Sequence, residues 1–203
     1  MTLLSVIKFL PQIIMFLCVL AYTVIYLVGI KNGKVKPVLA TWIFFSFATF
    51  LSIVTNFKES GVQGLLANSY NLVDTLSVFI ICSVIIFKKD SRKVFNKLER
   101  WCLSSIIFIF IAWLITGQNV LAHLAIQAML IIAYLPTLLQ LWKATENTES
   151  IGMWSLNCVA STFGLVEPLR TMSFLPIVYG SRSAISTFIV VVLILRLKYK
   201  NKN

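Results

Sequence analysis

Residues 119–142 read NVLAHLAIQAMLIIAYLPTLLQLW, an apolar stretch without a single Asp, Glu, Lys or Arg. A helix that crosses a bilayer needs about 17–25 predominantly apolar residues, and this stretch is long enough. Its apolar residues run continuously instead of alternating with polar ones, which disfavours a membrane β-strand. The stretch therefore predicts a membrane-spanning α-helix.

Six further apolar stretches accompany this one, at about 9–30, 37–56, 64–87, 100–117, 151–168 and 181–197. Together the seven use most of the 203 residues, which leaves no room for a soluble domain. The composition agrees, because 59% of the residues are hydrophobic and only 12% are charged, whereas about a quarter of a soluble domain is charged. The predicted fold class is an all-α membrane protein with seven transmembrane helices.

The basic residues predict the orientation of the chain. With seven crossings, 14 of the 18 Lys and Arg residues fall on one side, in the loops 31–36, 88–100 and 143–150 and the tail after 195. Lys and Arg concentrate on the cytoplasmic side of membrane proteins. We therefore expect an integral protein of the plasma membrane with its N-terminus outside and its C-terminus in the cytoplasm. Four tryptophans fall near the predicted cytoplasmic helix ends, where an indole is favoured: Trp42, Trp101, Trp142 and Trp154.

The net charge of +11 raises the question of a nucleic-acid partner. The charge lies in short runs between apolar stretches, as orientation in a membrane requires, and no nucleic-acid recognition motif accompanies it. The expected surroundings are therefore a lipid bilayer and not nucleic acid. The sequence leaves homo-oligomerisation open.

The cysteines and the single histidine argue against metal, cofactor and disulfide chemistry. All four cysteines lie inside apolar stretches, and no pair has metal-ligand spacing. The chain also lacks paired mid-membrane carboxylates and a nucleophile–base grouping, so an enzyme is disfavoured. A retinal-type protein would need a lysine inside the last helix, and residues 183–195 contain none.

The chain resembles itself at a shift of 112 residues. Ala21-Tyr22 falls on Ala133-Tyr134, and Trp42 falls on Trp154. The shift pairs the first three helices with the last three and leaves the fourth over. Three crossings reverse the chain and one more helix restores its direction, so the two copies would be parallel. We therefore expect a first three-helix bundle at 1–89, a linker with the fourth helix at 90–118, and a second bundle with a basic tail at 119–203.

A local motif follows the same plan. Tyr134-Leu135-Pro136-Thr137 precedes a short polar loop and then Met153-Trp154-Ser155-Leu156. With the 3+1+3 layout and outside N-terminus, this resembles the SWEET and PQ-loop transporter superfamily, although Thr137 stands where that family has glutamine. The resemblance implies a small-solute transporter, or an intracellular relative of similar fold. Pro136 would then be a gate hinge, because proline removes one helix hydrogen bond; the alternative is a static kink.

Asp74 is the strongest single indication of a functional site. It falls near the centre of the third helix, where an ionised side chain costs at least ~2.5–3.5 kcal/mol, so it should face the bundle interior. Asn71 and Asn68 precede it by three and six residues, on about the same face. This face could bind a polar solute or carry one proton for coupling. The alternative is a structural hydrogen bond to a neighbouring helix.

Further polar residues supplement this face. His123 and Gln127 are four residues apart on one face of the fifth helix, and Asn157 lies in the sixth. Each could line a pathway or bond across to another helix. Arg182, near the outer end of the last helix, could pair with Asp74 or reach the headgroups.

The sequence thus predicts a transporter that moves a small polar solute by alternating access, the solute being sugar, vitamin, nucleoside or amino-acid-like. The predicted site residues are Asp74, Asn71, Asn68, Asn157, Gln127 and His123. The alternative is a receptor or sorting adaptor of the same architecture that binds its ligand without net transport. Flux across a sealed vesicle separates the two.

Overall fold

The computed structural model describes residues 3–35, 37, 39–88, 97–144 and 149–200, with the side chains of 3–8, 98, 99, 136 and 140 left out. All the regular secondary structure in these ranges is helical. Of the predicted linker, residues 90–96 lie outside the described part, as do tail residues 201–203. The helices are α1 Leu3–Lys31, α2 Leu39–Ala67, α3 Ser69–Phe87, α4 Lys97–Thr116, α5 Asn119–Lys143, α6 Ile151–Gly164, α7 Val166–Arg170 and α8 Phe174–Lys200.

Five of these helices are long and apolar enough to cross a membrane: α1 from Phe9 onward, α2, α3, α5 and α8. This is consistent with the predicted integral membrane protein. Of the other two predicted spans, the fourth coincides with a shorter apolar helix, Arg100–Thr116. The sixth is divided between α6, which has 14 residues, and the five-residue α7.

The boundaries of α2 and α8 differ from the expected ones. The sequence places a gap at 57–63, but α2 runs on through Lys58 and Glu59 to Ala67, with a kink at Gly61 (φ 62°, ψ −154°). The last helix begins seven residues before the predicted 181. Pro176 lies in its first turn, where the missing N–H is tolerated. Hydropathy alone does not detect the polar extension of α2, whereas the extension of α8 at 174–180 is apolar.

The helix contacts stay the same when helices of the first half of the chain are exchanged with those of the second half. Helix α3 packs against both α1 and α2, and α8 packs against both α5 and α6. Between these groups α1 contacts α6 and α2 contacts α5, while α4 lies against α5 and α2. Exchanging α1 with α5, α2 with α6 and α3 with α8 carries each of these pairings, apart from those of α4, onto another. These contacts are consistent with the 112-residue repeat, and the two-bundle arrangement stays a prediction.

Several positions matched by the repeat have matching burial. Ala48 and Ala160 are both completely buried, and Tyr22 and Tyr134 are both buried, as are Trp42 and Trp154. The outer faces of the helices instead expose large apolar side chains such as Leu76 and Phe188. Contiguous apolar surface of this kind suits contact with lipid.

Candidate functional site

A cavity of about 380 Å³ lies among the helices. Six helices contribute to its lining, α1, α2, α3, α5, α6 and α8, so both halves of the repeat enclose it. At one end it reaches exposed Lys34, after α1, and Glu149, before α6. At the other end it reaches Asp74 and Arg182 in the interior. The cavity therefore connects the predicted cytoplasmic loops with the buried charges.

Asp74 lies at the inner end of this cavity, on α3. The Tyr22 hydroxyl donates to its Oδ1 at 2.5 Å, and the Tyr179 hydroxyl donates to its Oδ2 at 2.7 Å. One tyrosine comes from α1 and the other from α8, so one donor belongs to each half of the repeat. Both carboxylate oxygens are satisfied, which offsets the cost of burying them. Asp74 thus makes structural hydrogen bonds and also lines the cavity.

Arg182 points inward and does not reach toward headgroups, since only 8% of its surface is exposed. Its Nε donates to Gln127 Oε1 at 3.1 Å, and its Cζ lies 4.9 Å from the ring centroid of Tyr179. Among the described residues, no carboxylate oxygen, that of Asp74 included, is recorded within 4.0 Å of the guanidinium. Asp74 and Arg182 are therefore held apart by neutral partners, with Tyr179 common to both.

Gln127 and His123 form a polar chain behind Arg182. Arginine can only donate, so it fixes the Gln127 carbonyl toward itself. The Gln127 Nε2 then donates to Ser52 Oγ at 3.1 Å and lies 3.4 Å from His123 Nε2, whose Nδ1 is 3.2 Å from Thr55 Oγ1. Neither Gln127 nor His123 is among the cavity-lining residues. Both instead bond across to α2, and Gln127 orients Arg182.

The three asparagines predicted for the site are placed differently from one another. Asn157 lines the cavity and accepts a hydrogen bond from the Tyr70 hydroxyl at 2.8 Å. Asn71 is buried between α2 and α3, where its Nδ2 donates to Ser52 Oγ at 3.1 Å. Asn68 is buried at the α2–α3 break, and its Nδ2 is without a hydrogen-bond partner in the described structure. Asp74 and Asn157 thus share the cavity, whereas Asn68 and Asn71 lie outside its lining.

The predicted hinge lies in α5, which is helical through position 136. The side chain of Pro136 lies outside the described part of the chain. Its role as a hinge therefore stays a prediction.

The predicted site omits the aromatic side chains that line the cavity. Tyr22, Trp42, Tyr134 and Trp154 all line the cavity. Trp42 and Trp154 are buried, each near the start of its helix, while Trp101 and Trp142 are exposed. The repeat contained the signal, because these four residues are the aromatic identities between its two copies. These four aromatic side chains face the cavity between the two copies.

Close helix contacts shut the bundle beyond Asp74, on the side away from Lys34. Tyr70, one turn before Asp74, has its hydroxyl 2.8 Å from Ser183 Oγ as well as from Asn157 Oδ1. Gly164 packs so closely on Tyr70 that a Cβ there would lie 2.5 Å from the Tyr70 Cβ. The cavity therefore ends at a packed layer that joins α3, α6 and α8.

At the mouth, Glu149 is a half-buried carboxylate. It accepts a hydrogen bond from Trp154 Nε1 at 3.0 Å. Burial raises the pKa of Glu149, and the Trp154 hydrogen bond opposes this shift. The described part of the chain contains no group of three or more His, Cys, Asp or Glu residues that could hold a metal ion. The cavity thus offers aromatic faces, amide and phenol groups, and separated charges to a small solute.

Comparisons of this chain with models of protein families, with curated proteins and with solved structures find no match.

Proposed function

We propose that the chain is a membrane transporter that moves a small polar solute by alternating access between two like-oriented three-helix bundles. In this proposal the bundles are α1–α3 and α5–α8, with α6 and α7 together making one crossing and α4 turning the chain back between them. This gives seven crossings, an outside N-terminus and a cytoplasmic C-terminus in the plasma membrane. The plan is that of the SWEET and PQ-loop proteins which the 134–156 motif resembles.

One observation carries the proposal: Asp74, a buried carboxylate, is bonded to a tyrosine from each half at the closed end of a cavity that six helices enclose. Parallel repeats around a mid-membrane site are a transporter plan, in which rocking of the two halves exposes the site alternately to each side. The Tyr22 and Tyr179 bonds couple Asp74 to both halves, so movement of either half changes its surroundings. The exchange pattern of helix contacts supports the same plan.

Solute flux in proteoliposomes tests this function. The purified chain is reconstituted, and uptake of labelled D-glucose, uridine, thiamine and L-tryptophan is measured. For the solute taken up, we expect Asp74→Asn to abolish uptake while the variant remains folded, because asparagine fills the same space and still accepts one tyrosine bond.

The matched control is Glu59→Gln, which makes the same change at an exposed acid on α2. Its uptake should equal that of the unaltered protein. Uptake that persists in Asp74→Asn would remove this residue from the mechanism. Saturable binding without flux for every solute would favour the receptor or adaptor instead.

A further inference from the structure

The charges at the closed end of the cavity are of opposite sign and do not neutralise each other directly. Asp74 is held by two phenol hydroxyls, and Arg182 is held by the Gln127 carbonyl and the Tyr179 ring. A guanidinium has five N–H donors, so the Gln127 bond and an interaction with the Tyr134 hydroxyl leave others available. Both charged groups line the cavity, so each faces space in which a ligand can lie.

Holding these charges apart is costly for the empty protein. Each buried ion loses hydration, and contact with its opposite would be the simplest compensation. Tyr179 prevents that contact geometrically, because its hydroxyl bonds Asp74 while its ring face carries the guanidinium. A ligand with a cationic and an anionic group on one short scaffold would place an opposite charge in direct contact with each of them at once.

The remaining walls select for a planar apolar group. Tyr26 and Trp42 lie with ring centroids 5.0 Å apart, and Tyr134 and Trp154 lie 5.9 Å apart. All four rings line the cavity between the charges and the mouth. Aromatic rings pair favourably at such separations. The volume of about 380 Å³ falls in the range of small-molecule sites, about 300–1,000 Å³.

From these contacts we propose that the solute is a zwitterion with an aromatic side group, an aromatic amino acid in chemical class. Its ammonium lies against Asp74, its carboxylate against Arg182, and its ring against the aromatic wall of the cavity, in which Phe45 joins Tyr26–Trp42 to Tyr134–Trp154. This assignment rests on the proposed transport function for its biological setting, but it concerns binding and is tested separately from flux.

The same contacts discriminate against other solutes. A neutral sugar leaves both Asp74 and Arg182 without an opposite charge in direct contact. An amine leaves Arg182 without one, and an acid leaves Asp74 without one. A site built around buried polar groups rejects analogues that lack the matching group much more strongly than an apolar pocket does. Gln127 acts here as a positioning residue, because it fixes the guanidinium without lining the cavity.

Binding to the full chain in lipid nanodiscs tests the proposal with four probes: L-tryptophan, tryptamine, indole-3-propionate and D-glucose. Isothermal titration should show saturable binding of L-tryptophan. Tryptamine, which lacks the carboxylate, and indole-3-propionate, which lacks the ammonium, should each bind at least about tenfold more weakly. D-Glucose should bind more weakly still. This comparison of four affinities uses the unaltered protein, so it does not depend on whether any variant folds.

Two variants then assign the charges. Arg182→Gln should reduce the preference for L-tryptophan over tryptamine to about onefold. The carboxylate of L-tryptophan then has no cationic partner, and tryptamine has no carboxylate. Asp74→Asn should do the same for L-tryptophan over indole-3-propionate. Glu59→Gln, the exposed control, should leave both ratios unchanged.

The outcomes separate this inference from the proposed function. Tryptamine, indole-3-propionate or D-glucose binding as tightly as L-tryptophan, or no binding of L-tryptophan, overturns the zwitterion assignment, even if another solute shows flux. If L-tryptophan binds and the four affinities follow the expected order, but no flux is seen, the assignment is supported and transport is overturned. Flux of L-tryptophan with both variant effects supports the two together.

Discussion

At the scale of single residues, the chain holds its central charge with neutral donors. Asp74 accepts from two phenols, and Arg182 lies on one of the same rings without contacting the carboxylate. Tyr179 therefore has two separable roles: its hydroxyl satisfies Asp74, and its ring supports Arg182. Phenylalanine removes the first role and keeps the second.

We expect Tyr179→Phe to lower the free energy of unfolding by about 1–3 kcal/mol, because Asp74 Oδ2 is left buried without its donor. Thermal or SDS-induced unfolding of the purified protein in micelles measures this. Tyr199→Phe is the matched control, since Tyr199 lies on the same helix and is exposed. Equal unfolding curves for the two variants would show that the Tyr179 bond does not stabilise the fold.

At the scale of elements, the junction of α2 and α3 depends on one backbone conformation. Gly61 adopts φ 62° and ψ −154° inside α2, a region that residues with a Cβ avoid. The kink lets α2 continue past its apolar stretch and return to α3, which begins at Ser69 after the break at Asn68. The direction of α3, and with it the position of Asp74, therefore depends on this glycine.

Gly61→Ala should destabilise the protein by about 1–3 kcal/mol. No atom lies within 4 Å of the added Cβ, so the cost would come from the backbone and not from a clash. Gly152→Ala in α6 is the comparison, because its Cβ would meet only ordinary contacts at 3.8 Å. There we expect unchanged or slightly higher stability, as alanine favours helix over glycine. If the two substitutions have the same effect on the unfolding midpoint, the kink is not under strain.

The loop between α5 and α6 carries a pH-dependent contribution. Burial raises the pKa of Glu149 in the folded chain above that of an ordinary glutamate. At pH values between the unfolded pKa and the folded pKa, the folded state therefore binds more protons than the unfolded state. Its contribution to the free energy of unfolding therefore falls as pH rises through that window. Glu149→Gln keeps an acceptor for Trp154 and removes the titration.

Melting midpoints of the unaltered protein and of Glu149→Gln, compared over a series of pH values, test this. The advantage of the variant should grow as pH increases from below the glutamate range toward neutral. An advantage that stays constant or shrinks with rising pH would contradict the burial of a titrating carboxylate at the mouth.

At the scale of the whole molecule, the helix packing and the distribution of basic residues are both consistent with the proposed arrangement. The repeat matches three helices with three helices, and the observed packing exchanges under that match. The basic residues favour a cytoplasmic position for the loops at the mouth of the cavity. The cavity would then face the cytoplasm, with the layer around Tyr70 closing the outside.

Cysteine labelling in intact cells tests this orientation. Asn32 and Gln118 are exposed and lie in loops predicted for opposite sides. A membrane-impermeant maleimide should label Gln118→Cys in intact cells, and Asn32→Cys only after permeabilisation. The unaltered protein, with its four cysteines inside helices, gives the background. Labelling of Asn32→Cys in intact cells would reverse the assignment.

The sequence by itself predicted helices long and apolar enough to span a membrane, the offset of the repeat and the inward position of Asp74. Each follows from a property that can be read along one dimension: apolar length, self-similarity, and the cost of a charge in lipid. The residues that match between the two copies include four aromatic residues that line the cavity: Tyr22, Trp42, Tyr134 and Trp154. The boundary between α2 and α3 was misplaced because the polar residues around Lys58 continue the helix.

Only the tertiary structure decided which polar residues share the cavity. Asn71, Asn157, Gln127 and His123 have similar sequence contexts, yet Asn157 alone among them joins Asp74 in the cavity lining. Their sorting depends on how each helix is rotated about its axis and on which helix it meets. A helix that is apolar all round carries no periodic signal for that rotation. For the same reason, the inward turn of Arg182 and the shared Tyr179 emerge only when the helices are packed.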